Sequence, residues 1–519
     1  MSQQDRGLRA KAATRVEERK LPWALLAALA LLALAATSLV AQQAPRQLTL
    51  DDAISLAKGN NPLYLSTQND MSAANWQTRE AYAAFLPRVN VSGSAGYQEA
   101  GVQRIGTLVF DDQITDWAFS SYGLNFNMTL SGNTIFGIPN ARANKRATEA
   151  RIGAAEWNLE TTVAFQYMTT LRTADQLDVV QRQLDRARQN LQIVNTRVET
   201  GAAAGTEGKQ AEVDLGRAEA ALIGAQRDVR QAKLLLAEQL GVPLDSEVTL
   251  ASQFEIFEPD FDVDLLLDVA LNMHPSLHAF NAQESASKAA ARQVATSQYL
   301  PTINLNTSLR GNALEALNGE FITKQATDRA QGRMLGCEFN NTLDSGLAGG
   351  LPGYDQQDCS LLALTDDGLA AVINANSVFP LNFTKLPISF NATVSLPIWT
   401  GFSRQRQVSQ MNNLAEDAEH NRRAEELRIR TAVTNAYDNL SSAYLVVQAE
   451  ERNRELSEEQ LQLQQRRYVL GAVGLLELMD AQTTISTSDQ LYLNAVYDFH
   501  YSMIALEAAV GQPLRPANP

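Results

Sequence analysis

The feature that most constrains this chain is that its pattern is written twice. Residues 61–97 read NPLYLSTQNDMSAANWQTREAYAAFLPRVNVSGSAGY, and residues 274–310 read HPSLHAFNAQESASKAAARQVATSQYLPTINLNTSLR. Pro62 aligns with Pro275, and Leu86-Pro87 with Leu300-Pro301. Further on, LNFNMTLS (124–131) aligns with ISFNATVS (388–395). Gly201 and Gly241 are 40 residues apart, as are Gly471 and Gly511, and the pairs are followed by Val-Pro-Leu and Gln-Pro-Leu. Four anchors in one order define two repeats, 47–244 and 262–514. The offset between them grows from 213 to 264. The second repeat therefore carries an insertion of about 50 residues within 311–386.

Both repeats follow one grammar. A helix of about 25 residues starts at Asn-Pro or His-Pro, where the missing proline N–H costs nothing. It stops at Leu-Pro, because proline disfavours helix in the residue before it. Strict alternation follows in four segments, at about 88–97, 121–131, 302–310 and 387–397. Tyr122, Leu124, Phe126, Met128 and Leu130 alternate with Asn125, Asn127 and Thr129, for example. Such segments are strands with one apolar face and one small, neutral polar face. About ten residues suit a tilted membrane crossing. Taken alone, the same pattern also fits a soluble antiparallel sheet on a core.

Long helices follow each pair of strands, with coils expected over 141–240 and 403–510. Leu177, Val180, Leu184, Ala187, Leu191, Val194 and Val198 step by three and four, as do Val433, Tyr437, Leu440, Tyr444 and Val447. These are coiled-coil seams. Sixty helical residues extend roughly 90 Å, further than one globular core reaches, so the seams must be buried against neighbours. Each long helix turns at a glycine-containing tip, GAAAGT (201–206) or GAVGLL (471–476).

The rest of the composition sets limits. The 519 residues carry a net charge of −15, which argues against nucleic acid as a partner. A mean hydropathy of −0.21 excludes a polytopic helical membrane protein but not a β-barrel, whose lumen is polar. Residues 1–20 are basic (Arg6, Arg9, Lys11, Arg15, Arg19, Lys20), and Leu21 to Ala41 is free of charge. Residues 1–41 therefore read as an export signal, or as an uncleaved N-terminal anchor. Cys337 and Cys359 lie in the insertion, and in an oxidising compartment one disulfide joining them is expected.

Four strands cannot close a barrel, since membrane barrels start at about eight. An open edge in lipid leaves unpaired backbone groups, each costing several kcal/mol. Several chains must therefore pool their strands if these strands lie in a membrane. Three would supply twelve, and their helices would gather into one cylinder.

The order helix, Leu-Pro, strand, strand, long helix, glycine tip, return helix, twice over, resembles the TolC-type outer-membrane efflux family. The resemblance covers roughly 47–515 and is most specific at RRYVLGAVGLLELMDAQTTISTSDQLYLNAVYDFHYSMIALEAAVGQPL (466–514). It implies an α+β membrane protein that forms a homotrimer. That trimer would pair a shared 12-stranded outer-membrane barrel with a coiled-coil α-barrel in the periplasm. The implied function is the exit duct of a tripartite efflux or type I secretion system. A periplasmic adaptor (membrane fusion protein) and an inner-membrane pump of RND, ABC or MFS type would deliver the cargo. Glu477 and Asp480 match the family's ring of carboxylates at the periplasmic entrance. Thr206, Glu207 and Tyr468 match its gate contacts, but its basic gate residue falls at Val473, so Arg466 or Arg467 is expected to substitute. Gly201, Gly205, Gly471, Val473, Gly474 and Leu475 are expected to form the adaptor-docking tips. The insertion is expected to be an extracellular loop facing outward from the bilayer.

The alternative is an adaptor or scaffold anchored in the inner membrane by Leu21–Ala41. Such a protein would show one helical hairpin flanked by lipoyl-like β segments, whereas this chain shows two hairpins and four amphipathic strands. GTEGKQ (205–210) lacks the first glycine and the Ser/Thr of a phosphate-binding loop. His274, His278, His420 and His500 have no partners at metal-ligand spacing and are expected to be exposed structural residues. No catalytic constellation, metal site or cofactor motif is found, so a non-enzyme is expected.

Overall fold

The computed structural model describes residues 47–515 except 102, 106, 111–114, 245–247 and 252–253. The expected signal or anchor, 1–41, lies outside the described residues. In the first repeat, α1 (Leu50–Asn60) and α2 (Pro62–Ala83) lead to β1 (Arg88–Gln98) and β2 (Trp117–Leu130). The coil follows as α3 (Gly132–Glu199) and α4 (Gly205–Leu240). The second repeat runs α5 (Val263–Met273), α6 (Pro275–Tyr299), β3 (Thr302–Ala316), α7 (Gly319–Gly346), α8 (Asp366–Asn376), β4 (Ser389–Ser395), α9 (Ser403–Val469) and α10 (Leu475–Val510).

The four long strands form one antiparallel sheet in the order β1-β2-β3-β4, with the two-residue strand Thr384–Lys385 pairing β3 beside β4. Its register brings like residues together. Val91, Leu124 and Leu309 lie side by side, as do Met128, Leu305 and Ala392. On the other face Asn90, Asn125, Ser308 and Ser389 form a polar row, tied by a 2.6 Å hydrogen bond between the Ser308 and Ser389 hydroxyls. Register is strongly set because a one-residue slip would interchange the two faces. The apolar face is uncovered: Val91 is 80% exposed and Phe390 69%. Strands β1 and β4 are edges, each paired on one side only.

Helix α3 starts at residue 132 rather than 141, directly after β2, and carries Pro139 in its interior. One lost hydrogen bond is small in a helix of 68 residues. At about 100 Å it matches α9, which has 67 residues. The insertion differs more from expectation. Although rich in Gly, Asn and Asp, it folds as α7 and α8, with Asn318 capping α7 and Ile322, Ala326 and Ala330 buried beneath it. A disulfide joins Cys337 on α7 to Cys359, at the start of a short 3-10 turn. Burial and covalent closure override local composition here. Among the described residues no helix is long and apolar enough to cross a membrane.

Where each coil returns to its short helices, the two repeats use one joint. The C-cap glycines Gly241 (φ 71°) and Gly511 (φ 87°) adopt the left-handed conformation. A Cβ on Gly241 would lie 2.3 Å from the Asn60 carbonyl oxygen, and one on Gly511 would lie 2.8 Å from the His274 Cα. Both positions therefore require glycine. Opposite them, Asn61 accepts from the Leu63 and Tyr64 amides and donates to the Gln239 carbonyl at 2.8 Å. His274 does the same with a ring: Nδ1 accepts from the Ser276 amide at 3.1 Å, and Nε2 donates to the Ala508 carbonyl at 3.1 Å. His274 is thus a buried double cap, not the exposed residue expected, and His500 is buried as well. His278 and His420 are exposed.

Burial lowers the His274 pKa from its ordinary value, outweighing the opposing pull of the Ala508 carbonyl and Glu425. Protonation would also destroy its acceptor. Because the folded pKa is depressed, the unfolded chain binds more protons below about pH 6.5, and stability falls as pH drops through that range. Replacing His274 with Asn, the residue of the first repeat, is expected to keep the joint and to reduce the loss of melting temperature between pH 7.5 and 5. His274→Ala is expected to cost about 1 kcal/mol at neutral pH in denaturant unfolding.

Candidate functional site: the coil tips

The two tips are built alike. Gly201 and Gly471 both have φ of 75° and end their helices with matching hydrogen bonds. The Gly201 amide donates to the Val198 carbonyl at 3.0 Å, and that of Gly471 to the Tyr468 carbonyl at 2.9 Å. The return helices α4 and α10 each carry a glutamate as their third residue, Glu207 and Glu477. Negative charge there suits the positive end of the helix dipole.

The side chains break this symmetry. Where the first repeat has Val198, the second has Tyr468, which is 1% exposed. Tyr468 lies in an apolar cluster with Leu461, Leu475, Leu478, Ala481 and Ile485, joined by Val194 and Ala211 of the first coil. Its hydroxyl donates to Glu207 Oε2 at 2.9 Å. The Arg197 guanidinium lies over its ring, 4.3 Å from the centroid. Arg197 also donates to the Tyr468 carbonyl through Nη1, and to the Ala202 carbonyl through Nη2 at 3.0 Å. Burial, reinforced by Glu207, pushes the Tyr468 pKa up to about 12, so the hydroxyl stays a donor at any physiological pH. The structure thus brings together Glu207 and Tyr468, on different coils.

Thr206 is exposed and stands apart from this contact. Arg466 and Arg467 are exposed too, and the cation at the contact is Arg197, the repeat counterpart of Arg467. The substitution expected from Arg466 or Arg467 is not seen at this contact, where the cation comes from the first coil. Glu477 and Asp480 are both exposed, one turn apart on α10. At the tip surface Gly201, Gly205, Gly471 and Gly474 are exposed and Val473 is partly so. Leu475 instead turns into the apolar cluster. The apolar surface of the second tip is Leu470, 83% exposed, and Leu476, 78% exposed. Among the described residues no group of His, Cys, Asp and Glu could hold a metal ion.

A model of the outer membrane efflux protein family matches residues 53–242 and 386–512, more than half of the chain. Solved structures with a similar fold include the outer membrane protein VceC of Vibrio cholerae, at 16% identity and TM-score 0.64. That likeness covers 90% of this chain and 97% of VceC. The CmeC outer membrane channel of Campylobacter jejuni is 13% identical with a TM-score of 0.65, over 89% of this chain and 85% of its own. The MtrE outer membrane channel of Neisseria gonorrhoeae, solved in an open state, is 17% identical with a TM-score of 0.63, over 90% and 89%. No match was found among curated protein sequences.

A buried hydrogen bond to a charged group contributes about 1.5–3 kcal/mol, which is roughly 10- to 150-fold in a local opening equilibrium. Limited proteolysis at the tips is expected to speed up by that order in Tyr468→Phe and in Arg197→Ala. Arg466→Ala and Arg467→Ala are expected to be cut at the wild-type rate.

Proposed function

We propose a passive exit duct as the function of this chain, which belongs to the outer membrane efflux protein family. The observation that carries this reading is the open sheet of four long strands. It has an uncovered apolar face, a hydrogen-bonded polar face and two unpaired edges, and it is fused to helices of about 100 Å. Three copies pairing β4 of one with β1 of the next make a closed barrel of twelve strands. The apolar face then meets lipid and the Asn/Ser/Thr face lines a wet lumen. The same threefold arrangement gathers the coils into a helical tunnel through the periplasm and covers apolar residues they still expose, among them Ile223, Leu234, Leu445, Leu456 and Leu463.

Within this duct the tips form the entrance. Glu477 and Asp480 from three chains place six carboxylates around it, a ring that concentrates cations and repels anions. The Tyr468–Glu207 bond and Arg197 hold the second coil against the first. They form a gate, in keeping with the open state described for the Neisseria channel. Leu470 and Leu476, beside Gly201, Gly205, Gly471, Val473 and Gly474, offer a surface to a periplasmic adaptor that brings an inner-membrane pump. The chain carries no energy-coupling motif, so a pump of RND, ABC or MFS type supplies the work, for drug efflux or for type I secretion. The α7–α8 insertion, which joins the outer ends of β3 and β4, lies on the extracellular side. The anchored-adaptor reading gains no support, because the chain devotes four registered strands to a sheet that an adaptor would not need.

Fractionation tests the duct. The chain is expected in the outer membrane as an oligomer that resists SDS until heated; recovery with the inner membrane alone would refute it. In planar bilayers the Glu477→Ala/Asp480→Ala double variant is expected to lose most of its cation selectivity and its block by multivalent cations. Unchanged selectivity would remove the ring from the entrance.

A further inference from the structure

The second coil has two apolar cores separated by a polar layer. The upper core ends at Val447 on α9 and Ala495 on α10. The tip core begins at Leu461 and Ile485. The heptad positions of α9 run Val433, Leu440, Val447, Arg454, Leu461 and Tyr468, seven apart, so a partly exposed charge stands where the other five side chains are buried. On α10 the buried residues at this level are Ser488 and Asp489, the latter 4% exposed. The Ser457 and Ser488 hydroxyls are 2.9 Å apart. Asp489 accepts from Arg454 Nε at 2.9 Å through Oδ1, and from Arg186 Nη2 of α3 at 2.8 Å through Oδ2. Arg186–Asp489 is the one ion pair between the first and second coils among the described residues. Beside it, Gln176 and Gln490 exchange hydrogen bonds of 2.6 and 2.7 Å.

We infer that this layer is the pivot about which the tips move, and that Asp489 is the positioning residue that sets their closed arrangement. The inference rests on the duct reading. The layer sits about 21 Å up α10 from its start at Leu475, well above the Tyr468–Glu207 contact. A continuous apolar seam would transmit any tip displacement along the whole coil, because packed cores resist sliding. A polar layer interrupts that seam, and polar groups at core positions fix register at the expense of stability. Asp489 holds α3, α9 and α10 at one point. Losing either arginine would leave a buried charge partly unpaired, so the tip contacts give way before the pivot does.

Conductance of the full-length channel in planar bilayers tests this. Asp489→Asn is expected to raise conductance at least twofold over wild type, with the oligomer still resistant to SDS. Tyr468→Phe is expected to raise it as well. Replacing all three charges (Arg186→Met, Arg454→Met, Asp489→Met) joins the two cores into one seam and is expected to return Tyr468→Phe to the wild-type level. An Asp489→Asn channel that assembles and conducts like wild type would overturn the pivot, as would a triple replacement that leaves the Tyr468→Phe increase intact. Should Asp489→Asn fail to assemble, the triple replacement decides alone. If neither wild type nor Tyr468→Phe conducts at all, the duct reading falls and the pivot with it.

Discussion

Two rows of unpaired backbone groups, on the outer sides of β1 and β4, govern the rest of this molecule. A sheet of four long strands with one largely apolar face and two free edges cannot stay open in either water or lipid. In water the exposed valines and phenylalanines would aggregate through the free edges. In lipid every unmet N–H and C=O costs several kcal/mol. In the proposed duct, closure by further copies resolves both problems at once and sets the symmetry that the helices follow. The long coils obey the same logic. Their heptad seams are buried within the chain, but Ile223, Leu234, Leu445, Leu456 and Leu463 stay exposed, so in the proposed duct the tunnel and the barrel are two consequences of one assembly.

Duplication gives each repeat the same scaffold, and divergence within it gives the protein its chemistry. The Asn61 and His274 joints show the scaffold. Two different side chains each accept from the start of the following helix and donate to a carbonyl near the end of the return helix, because the glycine opposite and the proline beside them fix the geometry. The tips show the divergence. Glu207 and Glu477 occupy equivalent positions, yet one is bound to Tyr468 and the other faces solvent. A single replacement, a tyrosine in one repeat where the other has valine, turns a symmetric pair of hairpins into a contact between coils.

Much of this was legible because it rests on periodicity and on backbone-restricting residues. The four strands, the two coils and the tips follow from alternation, heptads, Leu-Pro stops and left-handed glycines, all local signals. The contact between Tyr468 and Glu207 was reached through family resemblance. Arg197 was missed because no spacing rule links a residue at the end of α3 to one at the end of α9. The helices of the insertion were hidden by glycines at 332 and 336, whose cost is offset by buried Ile322, Ala326 and Ala330 and by the disulfide. Arg454 did leave a signal, since a charge stands where the heptad calls for an apolar residue.

That charge also bears on how such a long coil can both stand and move. A seam of 67 residues packed with apolar side chains throughout would be stable and immobile. Buried ion pairs add little net stability, and apolar replacements of similar size are often neutral or better by about 1–4 kcal/mol. Stability therefore does not explain Arg186, Arg454 and Asp489. What the three charges supply is definition: a carboxylate between two guanidinium groups has one satisfied arrangement, whereas a purely apolar seam has several of similar energy. The triad thus fixes the level at which the tip core ends. Below that level, the first and second coils meet through the Tyr468–Glu207 hydrogen bond, Arg197 and the apolar cluster of the tip.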